Sequence, residues 1–298
     1  MRVLITGGTG LIGRALCRAL PADGHQLTVL SRTPGAVRAK YGPQVQACGR
    51  LAECWRAQQF DAVINLAGEP IFDKRWSAAQ KRRIWESRVE LTRELVQCIE
   101  HAVHKPAVLL SGSAIGYYGG RGDAALDEDS GSGDDFGAQL CVAWEQEAAK
   151  AEQSGVRVCL LRTGAVLSRD GGMLQRMLPA FRLGLGARLG DGRQWLSWVH
   201  IDDYVAMVRL LLANPQASGA CNMVAPQPVT NAEFTATLAR VLQRPALFAA
   251  PAWLLRHMLG ERAGLLLEAQ KVLPVKIEKL GYRFAYPELE AALRDLLD

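Results

Sequence analysis

Long apolar runs are missing from this chain. The longest, Pro245 to Leu255, is shorter than the ~20 residues a membrane span needs, and prolines interrupt it, so no membrane partner is expected. Closely spaced cysteine pairs are missing too. The seven cysteines (Cys17, Cys48, Cys54, Cys98, Cys141, Cys159, Cys221) are scattered, odd in number and never in CxxC spacing, which fits a reduced cytoplasmic protein. Of the five histidines only His101 and His104 lie close together, and no metal site follows from them. The acidic stretch from Asp123 to Asp135 lacks the ligand spacing of a cation loop. Charge is mild, at +5, and the basic residues are not clustered, so no nucleic-acid partner is expected. No repeat, low-complexity segment or targeting peptide is recognised.

What remains is an ordinary globular composition: 298 residues, 49% hydrophobic and 22% charged. That is enough for one large domain with an appendage, or for two domains. The most informative stretch comes first. Arg2 to Ile5 reads as a buried parallel strand, Thr6-Gly7-Gly8-Thr9-Gly10-Leu11-Ile12-Gly13 as a glycine turn, and Arg14 to Leu20 as a helix. Gly7 permits the tight turn, Gly10 a close approach to a pyrophosphate, and Gly13 close packing of helix on strand. The helix's free amides and positive end then face the anion. Gly7, Thr9, Gly10, Leu11, Ile12 and Gly13 are therefore candidate cofactor-binding residues.

The second strand, His25 to Leu30, selects the dinucleotide. Its end carries Ser31 and Arg32, and no acid stands between His25 and Lys40. A 2′-hydroxyl calls for a strand-end acid, whereas a 2′-phosphate calls for a cation. NADP is the expected cofactor, with Ser31 and Arg32 on its 2′-phosphate.

Strands and helices then alternate. Further strands are expected near Gln44–Cys48, Asp61–Leu66, Ala107–Leu110 and Val156–Arg162. A long helix begins at Ser77, whose spacing to Gln80 is that of a capping box, and runs through Ile99; another spans Phe136–Ala151. This rhythm predicts an α/β fold, a Rossmann-type doubly wound parallel sheet with a smaller C-terminal substrate lobe. The expected division is 1–164 for the dinucleotide-binding domain, to which some later segments return, and 165–298 for the lobe, including a helical extension at 252–298. Leu66, Ala67 and Gly68, small residues at a strand's carboxyl end, would let the cofactor lie against the backbone. Gly184 to Gly192 reads as a glycine-rich loop over the cleft, Trp195 and Trp198 as pocket-lining or core aromatics, and His200 as structural.

With these residues in view the chain resembles the extended short-chain dehydrogenase/reductase superfamily, and within it the branch called "epimerase family proteins". The glycine turn at 6–13, Asn65-Leu66-Ala67-Gly68, Leu161-Arg162-Thr163-Gly164, Trp144-Glu145, Gln194 to Asp203 and Glu268 to Val272 carry the resemblance. It implies Ser111 and Arg162 beside the cofactor, Ser113 in the serine position of the reaction centre, and an unidentified small-molecule substrate for a monomer or homodimer. The superfamily's proton-transferring tyrosine and its lysine fall on Gly137 and Cys141, and its asparagine on Arg88. Ser113 and Tyr118 are the candidate catalytic residues, with Tyr117 nearby, although a packed aromatic explains Tyr118 equally well. Arg88 is expected to meet a cofactor phosphate or a substrate carboxylate. Two functions stay open: an atypical NADP-dependent oxidoreductase or epimerase, and a non-catalytic NADP(H) sensor.

Overall fold

The computed structural model describes residues 1–298. Seven parallel strands form its central sheet: β1 (Arg2–Thr6), β2 (Gln26–Leu30), β3 (Val45–Cys48), β4 (Ala62–Asn65), β5 (Val108–Ala114), β6 (Arg157–Thr163) and β7 (Gly219–Met223). They lie in the order β7-β6-β5-β4-β1-β2-β3. Val3, Leu4, Ile5, Val63, Ile64, Leu109 and Leu110 are fully buried, as expected of parallel strands covered on both faces.

One face packs on α1 (Leu11–Ala19) and α8 (Ile201–Ala213), through Leu16, Tyr204, Met207 and Leu211. The other packs on α3 (Leu51–Ala57), α5 (Leu91–Glu100) and α6 (Phe136–Ala149), through Leu95, Ile99 and Ala148. The chain winds outward in opposite directions from β1, so the carboxyl ends of β1 and β4 open a crevice at the switch point. Ligands of doubly wound sheets bind in such a crevice.

Four differences from the sequence reading matter. Strand β7 was not recognised: Gly219-Ala-Cys-Asn-Met223 lacks the β-branched residues that mark strands. The long helix is interrupted. Between α4 (Ala78–Trp85) and α5 the backbone forms a π-helical segment, Glu86–Glu90. The glycine-rich loop at 184–192 holds a strand, Ala187–Leu189, paired with Phe248–Ala250. Finally, Cys48 and Cys54 are joined as a disulfide with their Cα atoms 5.7 Å apart, against the expectation of seven reduced thiols. The turn at Gly49-Arg50 folds α3 back beside the end of β3, so residues six apart in sequence meet. No helix is long and apolar enough to cross a membrane.

Candidate functional site

The glycine turn is built as a cradle. Gly7 has φ +71°, and a Cβ there would come within 2.6 Å of the Leu66 carbonyl. At Gly13 a Cβ would meet the Gly7 oxygen at 2.2 Å. Thr9 and Gly10 complete the turn, and Gly10 precedes α1 without any side-chain cap or first-turn acid. The amides of Leu11 and Ile12 are thus left for an anion. These features fit a dinucleotide pyrophosphate. Arg32, at the end of β2, is exposed, and the Ser31 hydroxyl accepts from the Thr33 amide at 3.1 Å.

Beneath the cradle lies a buried polar knot. Thr6 Oγ1 donates to Asn65 Oδ1 at 2.7 Å and accepts the amides of Leu66 and Ala67 at 3.1 and 3.0 Å. Asn65 Nδ2 donates to Thr92 at 2.8 Å and Ser111 at 3.3 Å, and Trp144 Nε1 donates to Thr92 at 2.9 Å. Leu66 and Ala67 are thereby fixed against the cradle. Ser111, expected to touch the cofactor, is instead fully buried inside this knot.

The reaction centre implied by the resemblance lies at the end of β5. Ser113 Oγ donates to Glu145 Oε1 at 2.6 Å. Arg162, from neighbouring β6, donates to both oxygens of Glu145 at 2.9 Å. Its Nη1 serves the Tyr118 hydroxyl at 3.0 Å and the Glu128 carbonyl at 3.1 Å. All three guanidinium nitrogens have partners inside the protein, so Arg162 is a buried ion-pair residue. Tyr118 is fully buried, and its hydroxyl donates to Asn222 at 2.7 Å. Burial pushes its proton affinity up to about 12. It therefore packs behind the site as a buried aromatic. Tyr117 stacks on Arg162, its ring centroid 3.5 Å from the guanidinium carbon.

Helix α6 brings the two substituted positions alongside. Asp135 caps it, accepting from the Ala138 amide at 3.0 Å, and Gly137 follows in the first turn. Cys141 is buried one turn later. Burial, reinforced by the Glu145 charge, pushes its thiol up to about 11, so it is neutral at pH 7. Arg88 projects from the π-helical segment toward Gly68, where a Cβ would come within 2.7 Å of its guanidinium carbon. The Trp144 ring flanks it at 5.4 Å.

Glu145 is the site residue that the sequence reading did not single out. Its signal was present: an acid that ends the apolar run Leu140-Cys-Val-Ala-Trp144, facing a base that ends another apolar run, Val158 to Leu161. Neither charge is sustainable in such company without the other.

The terminal segments close over the loop that follows β4. Arg262 donates to the Phe72 carbonyl at 2.7 Å, Arg75 to the His257 carbonyl at 3.3 Å, and Lys81 pairs with Glu261. A cavity of about 380 Å³ lies here, with Arg256, Glu261 and Glu268 among its lining residues. Burial, with the Asp135 charge adding to it, raises the proton affinity of Glu268.

A doubly wound sheet with this cradle at its switch point defines a Rossmann-type protein. The chain belongs to the NAD dependent epimerase/dehydratase family, whose model matches residues 3–224. Residues 250–296 match a domain of unknown function, DUF1731. Over its whole length the chain is similar to "epimerase family protein SDR39U1" relatives. It is 41% identical over 305 residues to the chloroplastic homolog of Arabidopsis thaliana, covering 100% of this chain and 87% of that protein. The crystal structure of human SDR39U1, isoform 2, with NADPH matches at a TM-score of 0.90 and 37% identity, covering 99% of each chain. A nucleoside-diphosphate sugar epimerase from Corynebacterium glutamicum matches at 0.79 and 33%, covering 100% of this chain and 58% of that one.

Proposed function

We propose that this chain binds NADP(H) in preference to NAD(H) and acts as an epimerase- or oxidoreductase-like protein on a small molecule. The observation that carries the cofactor choice is the end of β2, where Arg32 is exposed and no acid stands between His25 and Lys40. The NADPH in the crystal structure of the human relative supports it. The amides opening α1 meet the pyrophosphate, Leu66 to Gly68 give the cofactor a flat backbone, and Ser31 with Arg32 meets the 2′-phosphate. When bound, the nicotinamide supplies hydride-transfer chemistry.

Isothermal titration with NADPH and NADH tests the reading. NADPH should bind more tightly, and Arg32→Ala should weaken it about ten- to a hundredfold, the range for a hydrogen bond to a charged group. Equal affinities for the two cofactors would overturn the 2′-phosphate role.

A second reading, a non-catalytic NADP(H) sensor, is favoured by one observation: neither Ser113 nor Tyr118 has a proton free for a substrate, and no lysine stands in α6. Ser113 gives its proton to Glu145, Tyr118 is buried, and Cys141 is a neutral thiol without the permanent charge of a lysine. General acid–base help contributes roughly 10²–10⁴-fold where such a group exists. With a panel of carbonyl compounds and nucleotide sugars, NADPH consumption and epimer formation should stay far below the ~10 s⁻¹ typical of enzymes. Turnover near that value, unaffected by Ser113→Ala and Tyr117→Phe, would reject the sensor reading.

A further inference from the structure

Arg88 is a cation without a counter-ion. Its Nη1 donates to the Glu69 carbonyl at 3.0 Å, the Ile84 carbonyl at 3.3 Å and the Ser87 hydroxyl at 3.4 Å. These acceptors are neutral and crowd one nitrogen, leaving Nε and Nη2 unpartnered. No acid pairs with it: Glu69 turns its carboxylate toward Lys74 at 3.7 Å, and Glu90, two residues on, pairs with Arg93 at 2.6 Å. Burial lowers the proton affinity of Arg88, and the Glu69 charge opposes this only in part. The side chain is half-buried, so its two unpartnered nitrogens are open to a ligand, and a partly desolvated charge favours an anionic one.

Its surroundings are arranged to keep it there. Position 68 has no side chain, and any Cβ would strike the guanidinium. Trp144, pinned by Thr92, flanks the group. The π-helical segment Glu86–Glu90 alters the angular position of Arg88 relative to an uninterrupted helix, and such segments recur at functional sites. The Trp144 ring that flanks Arg88 also packs on Gly112, next to Ser113, where a Cβ would come within 2.8 Å of it. Arg88 thus belongs to the end of the crevice that holds Ser113, away from Ser31 and Arg32.

We infer that Arg88 is the fork for an oxyanion, a carboxylate or phosphate, carried by the substrate and not by the cofactor. This rests on the NADP(H) reading, which gives the cofactor's charges to the amides of α1 and to Arg32. Two free donors on a planar guanidinium match the paired oxygens of a carboxylate or phosphate, whereas a neutral hydroxyl would leave the charge uncompensated. The substrate class is accordingly an acidic small molecule whose anionic group lies near the reacting carbon.

Oxalate and inorganic phosphate are the probes, titrated into the full chain with and without saturating NADPH. Oxalate should bind the NADPH complex, and Arg88→Gln should weaken it by about tenfold or more while changing NADPH affinity less than about twofold, since a charged hydrogen-bonded fork is lost. Arg88→Lys keeps the charge without the fork and should fall between, which preserves the test if the glutamine variant folds poorly. Loss of NADPH affinity in Arg88→Gln, together with expulsion of oxalate by NADPH, would overturn the assignment by placing the charge on the cofactor. Failure of both probes to bind, with or without NADPH, would overturn it outright. If the wild-type chain does not bind NADPH, the cofactor reading fails by itself. Oxalate binding by the free chain that Arg88→Gln abolishes would then still uphold the fork, and its absence would sink it.

Discussion

Glu145 Oε1 accepts from Ser113 and Arg162 together. The Arg162–Glu145 pair is bidentate, and both side chains are at least nine-tenths buried. Removing one partner of such a pair strands the other's charge, so Glu145→Ala should lose about 3–5 kcal/mol in urea unfolding. Replacing both residues, as Glu145→Leu with Arg162→Met, should recover most of that loss. A single substitution measuring below about 1 kcal/mol would show that water reaches the pair. Much of this neighbourhood could be read from residue order. Ser113 and the glycines of the cradle follow from strand–turn–helix context, where each position has a steric duty. The partners of Arg162 could not be read, because its ligand lies on a different element 17 residues away and only the fold brings the two together. Read in isolation, a basic residue at a strand end looks like a phosphate ligand.

Elements were legible where their periodicity was strong. Strands β1, β2, β4 and β6 and helix α6 stand where apolar patterning puts them, because tertiary packing and local preference agree there. Strand β7 and the π-helical segment escaped, since small residues and a locally altered hydrogen-bond register leave no periodic signature. Helix α8 shows a further device. His200 precedes it, and its Nδ1 accepts the Asp202 amide at 3.1 Å. That nitrogen must be unprotonated, and Nε2 lies 3.2 Å from Asp295. Burial lowers the proton affinity of His200, with Asp202, Asp295 and Asp203 opposing it only in part. On acidification the unfolded chain therefore takes up this proton first. The contribution is full above the unfolded value of ~6.5 and is lost as pH falls below it. Urea midpoints measured between about pH 7.5 and 5 should fall for the wild type, and His200→Asn, which keeps a capping oxygen, should flatten the slope. An identical slope in the variant would exclude His200 as the source.

At the scale of the molecule, the terminal segment is fastened by one carboxylate. Buried Asp203 accepts from the Tyr282 hydroxyl at 2.6 Å and from the amides of Ala285 and Tyr286 at 2.8 and 2.9 Å. The last helix, Leu289–Leu297, then buries Leu289, Leu293 and Leu296 in the main core. Asp203→Ala strands three donors and should destabilise the protein by at least about 2 kcal/mol. Limited proteolysis should then cut first between α8 and the last helix, near residue 282. A variant as resistant as the wild type would show that the apolar contacts hold the segment unaided.

Strand β7 joins the sheet beside β6 only after the intervening residues 164–218 have been made. On the ribosome β6 must therefore wait as an open edge, carrying Val158, Cys159 and Leu161. At ~5–20 residues per second the 60 residues separating Thr163 from Met223 take roughly 3–12 seconds to emerge, which is long compared with strand pairing itself. During that interval the nascent chain presents the kind of unpaired strand that recruits neighbours on the same message. Translation speed across this segment, more than final stability, should set how much of the protein is recovered in soluble form.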